Sequence, residues 1–248
     1  MDENKKDILY SYYRIRKLIG LLGIILPALV AIVYGGFLSS ISHYYYTKSS
    51  VIFISILSAL GLFLISYKGY KRDKETERLS DNFITHIGGV AVLLVVICPT
   101  YCSETGSSEI YNICLSEAYP LFGHRSAVVN IIHLVSAGTF FITMGWMSIF
   151  RFTKRDLQKG LTKEKQNKNK IYRFCGYTIW ISMGILLVEF SLKIIYPDFN
   201  ITNYDVFILE TISIIAFGIS WLIKGEAIKD IIDLKNKCFR ILKVHKEN

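Results

Sequence analysis

Five side chains in this 248-residue chain have the types for ligand, acid–base or metal chemistry: His133, Glu189 and Glu210 inside long apolar runs, and His43 and His124 in the connections beside them. A charged group at the centre of a spanning helix costs about 2.5–3.5 kcal/mol, so such residues point to function. Two chemistries fit them. As polar contacts, His133, Glu189 and Glu210, with Asn130 one turn before His133 and Ser42 beside His43, could hold a small polar molecule or a lipid head group. As N/O donors, His43, His124 and His133 with the two glutamates could give zinc three or four ligands and leave one position open for water. That is the arrangement of a metal-assisted hydrolase. The chain has five histidines and no H-x-x-x-H or H-E-x-x-H pair, which counts against zinc, and no other cofactor is expected. Ser39, Ser40 and Ser42 beside His43 have the types of a nucleophile and its base. A serine-rich loop at a membrane edge is more often solvated. Structural readings stand next to all of these: Glu189 pairing with Lys193 four residues on, Glu210 bonding a neighbouring hydroxyl, and His133 acting as an interhelical donor.

Six apolar runs carry or flank these residues, at about 18–38, 51–67, 82–98, 127–150, 171–195 and 206–223. Each is close to the length that crosses a bilayer as a helix. With 52% hydrophobic residues, the composition predicts an all-α integral membrane bundle of six helices as one domain, 1–223, followed by a tail at 224–248. No small-residue cleavage site follows the first run, which is expected to remain as a span. In the fourth run Ser126, Asn130, His133, Ala137, Met144 and Ser148 share one stripe, the face a membrane helix turns to its neighbours. In the first run Gly20, Gly23, Pro27 and Tyr34 share a face, which predicts a close helix neighbour and a kink at Pro27. Tyr44, Tyr45 and Tyr46 are expected in an interfacial aromatic belt. The tail spaces its apolar residues on one side with lysines opposite, an amphipathic helix suited to an anionic leaflet.

Placement of the bases sets the orientation. Of the 29 Lys and Arg, 26 fall in 1–17, 68–80, 151–173 and 224–248; the alternate connections hold only Lys48, Arg125 and Lys193. The positive-inside rule then predicts cytoplasmic termini in a plasma (inner) membrane. The net charge of +9 is thereby a topology signal, and nucleic acid is not expected as a partner. The expected partners are the bilayer itself, anionic lipids at the cytoplasmic face, and a cytoplasmic protein or further copies of the chain. At about 1.5 Å per residue, His133, Glu189 and Glu210 share a depth of roughly 6–10 Å below the outer surface. His86 falls at the opposite end. Cys102 and Cys114, twelve positions apart on the outer side, are candidates for a disulfide, with Cys98 near enough in sequence to compete.

Four stretches, SYYRIRKLIGLLGIILP, ISHYYYT followed by ISILSALGLFLISYKGY, NIIHLVSAGTFFITM and FILETISIIAFGISWLIKGE, resemble an uncharacterised family of bacterial six-span proteins. That family is distantly similar to the DRAM/Sfk-like membrane proteins. The resemblance covers most of the chain outside 151–170 and the tail. It implies that Ile41, Ser42, Pro99, His133 and Glu210 occupy motif positions lining the outer half of the bundle. The cysteine-bearing connection 99–125 departs from the family pattern. The leading expectation is a non-enzymatic protein that binds, senses or moves a small polar or lipid head-group ligand in a pocket open to the outside. The alternatives are the metal-dependent hydrolase and a membrane effector or scaffold, possibly pore-forming, driven by a cytoplasmic partner.

Overall fold

The computed structural model describes residues 3–69, 79–102, 107–154, 162–196 and 202–227. They form α1 (Glu3–Tyr34), a short 3-10 helix (Ile41–Tyr46), α2 (Ser50–Ser66), α3 (Asp81–Ile97), α4 (Ser108–Ser116), α5 (Ala127–Trp146) with a π-helical turn (Met147–Arg151), α6 (Lys163–Ile195) and α7 (Asp205–Lys224). No strand occurs among the described residues. Tyr13–Tyr34, Ala127–Arg151, Lys163–Ile195 and Asp205–Lys224 are long and apolar enough to cross a membrane, while α2 and α3 are shorter apolar helices. Side chains such as Ile32, Val51, Phe174 and Ile194, 71–84% exposed, cover the outside of the bundle with hydrocarbon, as a protein solvated by lipid requires. The tail beyond 227, with its expected amphipathic helix, lies outside the described residues.

Helix ends follow local chemistry. Helix α1 stops at Tyr34, short of the expected 38, because Gly35 turns left-handed (φ 87°) and donates its N–H back to the Ala31 carbonyl at 2.8 Å. Helix α3 stops at Ile97 because a residue before proline is disfavoured in helical geometry, and Cys98 precedes Pro99. Helix α6 begins eight residues before the expected 171: Thr162 caps it, accepting from the Lys165 N–H at 3.2 Å.

Six helices close a ring in chain order, α1–α2–α3–α5–α6–α7 and back to α1. Small residues set the closest crossings. A methyl group added at Gly20 would stand 2.6 Å from the Gly218 carbonyl oxygen, and one at Gly218 would stand 2.6 Å from that of Gly20, so α1 and α7 touch backbone to backbone. The glycine face foreseen on the first run therefore has α7 as its neighbour. Alternate helices run in opposite directions, which gathers charges at one end. There Arg16 donates to the Tyr67 hydroxyl at 3.2 Å, Lys165 donates to the Phe152 carbonyl at 2.8 Å, and the Lys224 ammonium lies 5.3 Å from the centre of the Phe152 ring. The π-helical turn carries Arg151 inward, where its Nε–H donates to buried Asp81.

Candidate functional site

The other end of the bundle holds most of the candidate residues, organised by the 3-10 helix. Ser40 caps this helix: its Oγ accepts from the Ser42 N–H at 3.1 Å and donates its own proton to Glu210 Oε2 at 2.9 Å. The same carboxylate oxygen accepts from the Ile41 N–H at 2.7 Å. Glu210, five positions into α7, thus clamps the start of the 3-10 helix through two donors that α7 could not satisfy.

The three tyrosines are not an interfacial belt. Tyr44, Tyr45 and Tyr46 are each at most 1% exposed. Their hydroxyls serve backbone of the surrounding connections. Tyr44 donates to the Gly36 carbonyl at 2.8 Å and accepts from the Leu38 N–H at 3.3 Å. Tyr45 accepts from Phe122 N–H at 3.1 Å. Tyr46 donates to the Thr100 carbonyl at 2.6 Å and accepts from His124 N–H at 3.3 Å. Burial pushes all three phenols above their ordinary range, Tyr46 to about 12. The segment is a plug whose aromatic pegs lock the connections at this end of the bundle, and the expected solvated serine loop is instead largely buried, with Ser40 and Ser49 at 8% and 0% exposure.

Such packing sets Ser42 against α5 and His43 against Ser39. Ser42 Oγ lies 3.0 Å from His133 Nε2, and His133 Nδ1 lies 2.9 Å from the Cys98 carbonyl oxygen. A carbonyl only accepts, so Nδ1 carries the ring proton, and Nε2 is left to accept from the Ser42 hydroxyl. The helix stop at Cys98, dictated by Pro99, frees the carbonyl that orients the ring. His133 itself is 2% exposed, whereas Ser42 and His43 are half-buried. His43 Nδ1 lies 2.9 Å from Ser39 Oγ. Burial, reinforced by the neighbouring His133, lowers the His43 pKa to about 4, so that ring is neutral at physiological pH.

Asn130 and His124 have structural partners. Asn130 Oδ1 accepts from the Tyr101 N–H at 2.9 Å and the Thr100 hydroxyl at 3.2 Å. His124 donates from Nε2 to the Pro99 carbonyl at 2.8 Å and accepts at Nδ1 from the Ser126 N–H at 2.9 Å. Its two ring nitrogens are both occupied. Cys102 and Cys114 form a disulfide that ties α4 to the α3–α5 connection, and Cys98 stays a thiol.

Glu189 does not join His133 and Glu210. Its carboxylate, 1% exposed, pairs with Lys193 one turn on and lies beside Asp205 at the start of α7. Equal depth did not make these three residues neighbours, because depth says nothing about the direction a helix face points. Among the described residues no three His, Cys, Asp or Glu side chains form a group that could hold a metal ion. With the nitrogens of His124 and His133 engaged as described, the donor set proposed for zinc does not converge.

No family model, curated protein or solved structure matches the chain. Function has to be read from the geometry. The hydroxyl expected beside Glu210 is that of Ser40, whereas sequence reasoning overlooked the Cys98 carbonyl at this end and the buried Asp81–Arg151 pair at the other. Pro99 was a usable signal for the carbonyl, and nothing local marked the pair.

Proposed function

We propose that the chain is a six-span protein of a bacterial plasma membrane with cytoplasmic termini, which binds a small polar or lipid head-group ligand at its outer end. Helices α2 and α3, 17 residues or about 25 Å each, support two further spans because they complete the ring with the four longer ones. The concentration of bases at the Arg16–Lys165–Lys224 end supports the orientation. The likeness to the DRAM/Sfk-like proteins belongs with this reading.

One observation carries the ligand assignment. At the outer end, polar side chains from three separate segments (Ser39, Ser42 and His43 of the 39–47 connection, His133 of α5 and Glu210 of α7) gather around one short 3-10 helix, and all but His133 stay half-exposed. Polar groups this concentrated at membrane depth mark a ligand path or site. The test is thermal unfolding of the full chain in detergent with glycerophosphocholine, glycerophosphoethanolamine, glycerophosphoglycerol or inorganic phosphate. A concentration-dependent rise in Tm with at least one of them, lost in His43→Ala, is the expected result. No rise with any of the four would remove the assignment. Labelling from outside the cell of a cysteine placed in the 151–173 connector would reverse the orientation.

A further inference from the structure

The Ser42–His133–Cys98 relay is a feature that ligand binding alone does not use. A hydroxyl donates to an imidazole Nε2 at 3.0 Å, and the opposite ring nitrogen is fixed by a hydrogen bond of 2.9 Å to a backbone carbonyl. These are the relations of nucleophile, general base and orienting acceptor, met on unrelated folds whatever the order in the chain. The three parts come from the 3-10 helix, α5 and the end of α3, and each is held from behind. Glu210 and the Ser40 cap fix the backbone of Ser42, Pro99 fixes the Cys98 carbonyl, and the buried flank of α5 fixes His133.

We propose that Ser42 is the nucleophile of an acyl-transfer site, with His133 as its base, acting on carboxylic esters of membrane lipids. This rests on the outer end being the ligand site. In the first half-reaction Ser42 Oγ bonds to the ester carbonyl carbon while its proton passes to His133 Nε2. The tetrahedral intermediate then breaks its bond to the alcohol oxygen, which takes the proton from Nε2 and leaves. In the second half water, or another lipid alcohol, gives a proton to Nε2 and bonds to the acyl carbon; the tetrahedral intermediate then breaks its bond to Ser42 Oγ, which takes the proton back from Nε2, and the acid or new ester leaves. Throughout, Nδ1–H stays on the Cys98 carbonyl, which stabilises the transient imidazolium. His43 Nε2 has no hydrogen-bond partner among the described residues, and its neutral ring sits within electrostatic reach of His133. In the tautomer in which the Ser39 hydroxyl donates to Nδ1, Nε2 carries an N–H that the developing oxyanion would draw on.

Position selects the substrate. His133 lies six residues into α5, about 9 Å from its start, near the level where the ester linkages of a bilayer leaflet lie. Ile132 and Leu134, which flank it on α5, are 40% and 43% exposed, a surface for an acyl chain.

The experiment treats the full chain in detergent with a fluorophosphonate that carries an alkyl tail, and maps adducts by mass spectrometry. The expected result is one modified residue, Ser42, with no adduct in Ser42→Ala and labelling at least about 100-fold slower in His133→Gln. Gln keeps a donor for the Cys98 carbonyl, so that variant separates base from scaffold, and unchanged Tm verifies its fold. Ser116→Ala, on exposed α4, labels as wild type. Folded wild-type protein that takes no adduct at Ser42 overturns the proposal, as does a His133→Gln protein of wild-type Tm that labels at the wild-type rate. A head-group shift in Tm alongside absent labelling would leave the binding site standing and remove only the chemistry. Labelling without any such shift would do the reverse.

Discussion

Removing the Glu210 carboxylate is expected to unfasten the outer end from α7. One oxygen, Oε2, accepts from the Ser40 hydroxyl at 2.9 Å and the Ile41 N–H at 2.7 Å. Hydrogen bonds to a charged group are each worth about 1.5–3 kcal/mol, so Glu210→Ala loses about 3–5 kcal/mol once the Ser40 hydroxyl is allowed to turn elsewhere. Glu210→Gln keeps an acceptor in place and loses only the charge, about 1–2 kcal/mol. For a chain of this size each kcal/mol moves Tm by about 2–4 °C, giving a fall of about 6–20 °C for Ala and about 2–8 °C for Gln. Thermal unfolding in one detergent reads both values. Hydrogen exchange should show the loss to be local first, with faster exchange of the Ile41 and Ser42 amides before α1 or α7 responds. An Ala variant that melts within about 1 °C of wild type, with exchange across 39–47 unchanged, would refute the clamp. A Gln variant that loses as much as Ala would show that charge, not the hydrogen-bond pair, is what matters.

Other outcomes follow from the same structure. Asp81→Asn or Arg151→Met alone breaks a buried ion pair and should cost about 3–5 kcal/mol, read as a fall in Tm; the double variant should recover part of it. Gly218→Ala should lower Tm, because the new methyl meets the Gly20 carbonyl oxygen at 2.6 Å, whereas Gly138→Ala on α5, with nothing within 4 Å, should hold or raise it. Because folding lowers the His43 pKa from 6.5 to about 4, the unfolded chain binds more protons between those values. The His43 contribution is therefore complete above pH 6.5 and is lost as pH falls towards 4, and Tm against pH should flatten over that window in His43→Gln.

Much of the architecture was legible in the sequence because lipid demands it. The six apolar runs became six packed helices, Gly20 and Gly23 marked a real helix contact, and Cys102 found Cys114 rather than Cys98. What was not legible depended on direction around a helix axis. Glu189 and Glu210 sit at similar depths, but one faces Lys193 and the other the 3-10 helix. The tyrosines read as an interfacial belt because their composition matches one. Only long-range partners such as Thr100 and Phe122 show that their hydroxyls serve buried backbone. Helix α4 is nine residues, too short to stand out from a polar connection.

The end of the bundle that holds the 3-10 helix has a strict accounting to meet. Buried irregular backbone survives only when its N–H and C=O groups are satisfied, and most polar side chains there do that work. Glu210 serves Ile41, Asn130 serves Tyr101, Tyr46 and His124 serve residues 99–126, and Ser40 serves Ser42. His133 likewise satisfies the Cys98 carbonyl, but through Nδ1 alone. The bond from Ser42 to Nε2 satisfies no backbone group; it satisfies the buried ring nitrogen itself. Alanine at 42 would leave the backbone framework in place and orphan only Nε2. A hydroxyl on which no backbone group depends is what the proposed nucleophile requires, and the labelling experiment tests whether it reacts.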